Sequence, residues 1–73
     1  MTGEHQLPLL SRTEVRLLEL VADGRALTTA GAELDLSPTA VSSTVADLRR
    51  RFGVASTAAV VAAARDAGML PGR

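Results

Sequence analysis

The chain has no cysteine, no lysine and a single histidine among its 73 residues. Without cysteine there is no disulfide framework and no thiolate metal site. His5, alone and near the start, gives zinc or haem no donor set, so no cofactor is expected. Long apolar runs are missing too. The uncharged stretch from Val54 to Ala64 has eleven residues, against the roughly 20 a membrane-spanning helix needs. The opening Met-Thr-Gly-Glu-His-Gln lacks the basic and apolar blocks of a secretion signal. A soluble, cytoplasmic protein is expected. Catalytic groupings are also lacking. Ser42, Ser43 and Thr44 have no histidine nearby to serve as base. There is no glycine-rich phosphate loop, and the carboxylates are scattered, so no enzyme is expected.

What is present is arginine and alanine. All eight basic residues are arginine, and thirteen residues are alanine, the bias of a GC-rich genome. Arginine content alone therefore says little about function. The length allows one domain, of marginal stability unless a partner adds buried surface. Net charge is zero, where phosphate attraction favours basic domains in nucleic-acid binders. The charge is unevenly spread. Residues 1–37 carry three Arg and six Asp or Glu, whereas residues 38–52 carry three Arg and one Asp. The positive charge gathers in one segment.

Helix signals recur along the chain. Residues 1–8 read as a flexible arm, with Pro8 blocking helix there. Ser11-Arg12-Thr13-Glu14 is a capping box, in which hydroxyl and carboxylate each satisfy an orphan amide. Val15, Leu17, Leu18, Val21 and Ala22 follow at helical spacing, and Gly24 ends this first helix. A short second helix is expected from about Leu27 or Thr28 to Leu34. Its Ala30, Gly31 and Ala32 are small enough for another helix to approach closely. Asp35 and Leu36 form a turn. Ser37-Pro38 is a strong start for a third helix. Its Val41, Val45, Leu48 and Phe52 share one face, and Gly53 stops it. Ser56 or Thr57 opens a fourth helix to about Ala67, ended by Gly68, and Leu70 is placed to fold back on it. No segment alternates as a strand does. Four helices, with a three-residue turn between the second and third, give an all-α helix-turn-helix pattern.

The residue order Leu10-Ser11, Asp23-Gly24, Leu34-Asp35-Leu36-Ser37, Ala40 to Val45, Leu48 and Arg51-Phe52-Gly53-Val54 resembles LuxR-type (GerE-like) DNA-binding domains. The likeness spans roughly residues 9–70 without gaps, leaving 71–73 as a tail. It implies a four-helix helix-turn-helix domain of the LuxR type, whose third helix (38–52) enters the major groove, and a dimer formed through the fourth helix. The departures fall at contact positions. Ser42 and Thr44 stand where the family has lysine and histidine. Thr28 and Thr29 replace a lysine and a glutamate, and Thr57-Ala58-Ala59 replaces a polar helix start.

These patterns define candidate sites. Thr39, Ser42, Ser43 and Ala46 lie on the exposed side of the third helix. They suit base edges through hydroxyls and a methyl group, or form an ordinary polar surface. Arg49, Arg50 and Arg51 suit phosphates, or simply complement the helix C-terminus. Asp47 is one turn from Arg50 and Arg51 and would partly neutralise them. Thr28, with Thr29, either bonds phosphate or caps the second helix. The uncharged fourth helix lacks the polar side of a monomeric surface helix. Ala58, Val61, Ala62 and Arg65 are therefore expected at a homodimer interface. The function expected is a transcription regulator binding double-stranded DNA. The alternative is a protein-interaction module acting on another regulator or RNA polymerase, and the chain also suits the output domain of a longer regulator.

Overall fold

The computed structural model describes residues 9–70. The arm expected at 1–8 and the tail expected at 71–73 lie outside the described residues. Four helices follow in order: α1 (Arg12–Ala22), α2 (Leu27–Glu33), α3 (Pro38–Phe52) and α4 (Thr57–Asp66). Among the described residues there is no strand. The architecture is that of a small all-α helix-turn-helix domain.

Local chemistry sets the helix boundaries. At α1 the Glu14 amide donates to Ser11 Oγ at 3.1 Å, and the Ser11 amide donates back to Glu14 Oε1 at 2.8 Å. This is the reciprocal box that satisfies two orphan donors. Ser37 and Ser56 cap α3 and α4 in the simpler way, accepting from the amides of Ala40 and Ala59. The start of α2 has no such help. Ala26 is its N-cap and makes no side-chain bond, so neither Thr28 nor Thr29 caps the helix.

The turn between α2 and α3 fixes how those helices meet. Asp35 is left-handed, with φ 61°, the one non-glycine residue of that kind among those described. Aspartate tolerates this conformation better than most side chains. It lets the Leu36 amide reach back to the Gly31 carbonyl at 2.9 Å and the Asp35 amide to Ala32 at 3.1 Å, the pairing that closes a helix end. The same Gly31 touches α3 directly. A Cβ built at Gly31 would lie 2.2 Å from Val41 Cγ2, so α2 and α3 meet at this depth only because position 31 has no side chain.

The core divides into two clusters that share α1 and α3. Leu17, Leu20, Ala30, Val41 and Val45 join α1, α2 and α3. Leu18, Leu48, Val60, Val61 and Ala64 join α1, α3 and α4. Leu17 and Leu18 are chain neighbours, yet a step of about 100° around the helix sends them to different clusters. Val21 packs against both. Phe52, Val54, Met69 and Leu70 close the second cluster, so Leu70 does fold back. The expectation for Val61 is corrected here. Val61 is only 7% exposed and belongs to this intrachain cluster, because α4 has to fill the gap between α1 and α3. It is not available to a second copy.

Candidate nucleic-acid interface

α3 presents two faces because its buried residues return with the period of the helix. Val41, Val45 and Leu48 point into the core. Positions 39, 43, 46 and 50 then fall on the far side, within about 50° of the direction opposite the core. Thr39, Ser42, Ser43 and Arg50 are exposed, and Ala46 is half-buried. The outer surface of α3 is therefore a strip of hydroxyls and one methyl group, with no long side chain before its last turn. A surface of such small groups lets the helix backbone come close to whatever it faces.

The three successive arginines have three different environments. The Arg50 side chain is 74% exposed and holds Asp47, with Nη2 3.2 Å from Oδ1. Arg49 is half-buried beside the strip, and no ion pair holds it among the described residues. Arg51 turns inward. Its Nη2 donates to Glu14 Oε2 at 2.5 Å, and its Nη1 donates to the Leu9 carbonyl at 2.7 Å. Its Nε lies 2.9 Å from Asp47 Oδ2, close enough for charge attraction but not aligned for a hydrogen bond. The Glu14 hydrogen bond, opposed by partial burial and aided by the charges of Glu14 and Asp47, raises the Arg51 pKa above the usual guanidinium value. Arg51 ties the end of α3 to the start of α1, and all of its guanidinium faces the chain.

The other expected contacts are scattered over the surface. Thr28 and Thr29 are exposed in the first turn of α2. On α4, Ala58, Ala62 and Arg65 are exposed and recur at i, i+4 and i+7, so they share one face. The Arg51–Glu14 link escapes sequence reading because its partners stand 37 residues apart. Glu14 already has a sufficient local reason as a capping residue. No spacing rule gives a carboxylate a second, distant duty for its other oxygen.

Among the described residues there is no group of His, Cys, Asp or Glu that could hold a metal ion. No helix there is long and apolar enough to cross a membrane. The family model for bacterial regulatory helix-turn-helix proteins of the lysR family matches residues 12–55. That is 44 of the 73 residues, covering α1, α2 and α3 and stopping before α4. No curated protein and no solved structure matches the chain. The match corrects the LuxR-type assignment while keeping the helix-turn-helix. The landmarks behind that resemblance, Gly24, Ser37 and Gly53-Val54, start and stop helices. Such residues serve the scaffold whichever family occupies it, so they do not separate one family from another.

Proposed function

Because the chain belongs to the lysR family of bacterial regulatory helix-turn-helix proteins, we propose that it binds duplex DNA by laying α3 in the major groove. A DNA-binding transcription regulator is the function this family carries. The finer assignment rests on the outer strip of α3. Thr39, Ser42 and Ser43 offer hydroxyls to base edges, and Ala46 offers a methyl group to thymine. Arg49 and Arg50 hold phosphates, which position the helix without reading sequence. The Thr28 hydroxyl adds a flanking phosphate contact. Arg51 is left out of this set, since its guanidinium is engaged with Glu14, Asp47 and Leu9. The observation that carries the proposal is the bare strip of small polar groups ending in the outward Arg50, with Arg49 half-buried beside it.

A second copy docks along the Ala58, Ala62 and Arg65 face of α4, placing two recognition helices about one turn of DNA apart. The protein works in the cytoplasm, where the DNA lies. Fluorescence anisotropy with random-sequence duplex DNA, at about 50 mM and 200 mM salt, tests the reading. Affinity falls steeply with salt; Arg49→Ala flattens the log–log slope by about 0.9, the share of one neutralised phosphate, and Arg50→Ala flattens it by less, since Asp47 already holds that guanidinium. Zero net charge favours a second reading, a module that binds another regulator or RNA polymerase. Absence of DNA binding at both salts, or a slope indifferent to both arginines, decides for that reading.

A further inference from the structure

The proposed DNA surface contains one group of the wrong sign. Asp47 is the single carboxylate of α3. It sits one turn before the arginines and divides its two oxygens between them, Oδ1 toward Arg50 and Oδ2 toward Arg51. Its side chain is about half exposed, at 46%. Glu14 and Leu9 take both terminal nitrogens of Arg51, and Asp47 supplies the negative charge beside its buried Nε. Arg50 has no other partner among the described residues and is the most outward of the three. Asp47 therefore has two duties: one oxygen supports the Arg51 tie inside the fold, and the other restrains the outward Arg50.

We propose that Asp47 is a specificity-determining residue: it holds Arg50 back from phosphate and so lowers affinity for DNA of arbitrary sequence. The inference rests on the DNA-binding reading above. An exposed i, i+3 ion pair is weak, so a phosphate that fits well displaces Asp47 from Arg50, while a passing phosphate gains less. Repulsion between the carboxylate and the DNA backbone acts in the same direction. Phosphate attraction is the sequence-independent part of binding. Trimming it raises the share of the binding carried by base contacts, and here those come only from short side chains. The near-neutral character of the whole chain follows the same tendency.

The test compares the wild-type chain, Asp47→Asn, Arg50→Ala and the Asp47→Asn/Arg50→Ala double variant. Each is titrated against fluorescent random-sequence duplex at about 50 mM and 200 mM salt. Asparagine keeps the shape of the side chain, and circular-dichroism melts confirm that each variant is folded. Asp47→Asn binds about fivefold tighter at the lower salt, with a slope steeper by about 0.9. Removing Arg50 then has a larger effect in the Asp47→Asn background than in the wild type. If the wild type binds DNA and Asp47→Asn binds no tighter, the Asp47 inference fails while the DNA reading stands. An equal gain with and without Arg50 also overturns it, since the effect is then one of total charge. If no variant binds, the DNA reading itself fails and the inference falls with it.

Discussion

Gly31 shows how much a single position decides. Its α-carbon lies where α2 crosses α3, and any Cβ there meets Val41 far inside contact distance. The obstruction is a branched side chain in a packed core, not the free end of a long one, so relief requires the helices to separate. Gly31→Ala therefore destabilises the protein by about 1–3 kcal/mol, the usual range for overpacking. Alanine's better helix propensity, about 1 kcal/mol, offsets only part of this. Urea unfolding of Gly31→Ala, Val41→Ala and the double variant checks the cause. The two changes are strongly non-additive, because shortening residue 41 removes the atom that clashes. Additive losses would show that the crossing tolerates a methyl group. The small residues of α2 announced a close approach in the sequence, but not which partner came near. Arg51 was less legible. Read along the chain it is one of three equivalent arginines, and only the fold, by bringing Glu14 and Leu9 against it, separates it from Arg49 and Arg50.

At the level of elements, the helices differ in how well their own sequences define them. α1, α3 and α4 open on serine caps; the sequence marked the first by Ser11 and Glu14 three apart and the second by Ser37-Pro38, and left the third between Ser56 and Thr57. α2 is the exception. It is seven residues long, contains Gly31, and begins at Ala26 with no side-chain bond. A helix this short does not hold itself by propensity. Its order comes from Ala30 and Gly31 buried against α1 and α3. Its start was accordingly uncertain in the sequence, since packing fixes it and no local signal marks it. The backbone at Ala26 is already extended, the conformation an N-cap requires. Ala26→Ser therefore stabilises the chain by about 0.5–1 kcal/mol by giving an orphan amide of α2 an acceptor. Chemical denaturation reads this as a raised midpoint at unchanged slope. A midpoint at or below that of the wild type would mean that the amides of α2 already have adequate partners in water.

Across the whole molecule, α4 has two faces with separate duties, and the sequence blurred them because neither carries charge before Arg65. An uncharged helix reads as one that needs burial on every side. The structure divides it: Val60, Val61 and Ala64 complete the second core cluster, while Ala58 and Ala62 remain exposed. Alanine on a solvent face is no burden to a helix, so the exposed side does not by itself demand a partner. The proposed dimer consequently rests on Ala58, Ala62 and Arg65 alone, and paired substitutions separate the two duties. Val61→Ala removes two buried carbons and lowers stability by about 2 kcal/mol, while the mass of the assembly in sedimentation stays that of the wild type. Ala62→Glu acts in the opposite way. It changes stability by less than about 0.5 kcal/mol, as surface substitutions do, but places two carboxylates face to face across a two-fold axis and turns a dimer into a monomer. A wild-type chain that sediments as a monomer at DNA-binding concentrations, or an Ala62→Glu variant that still dimerises, removes α4 from the interface. Two recognition helices would then need another surface to hold them one turn of DNA apart.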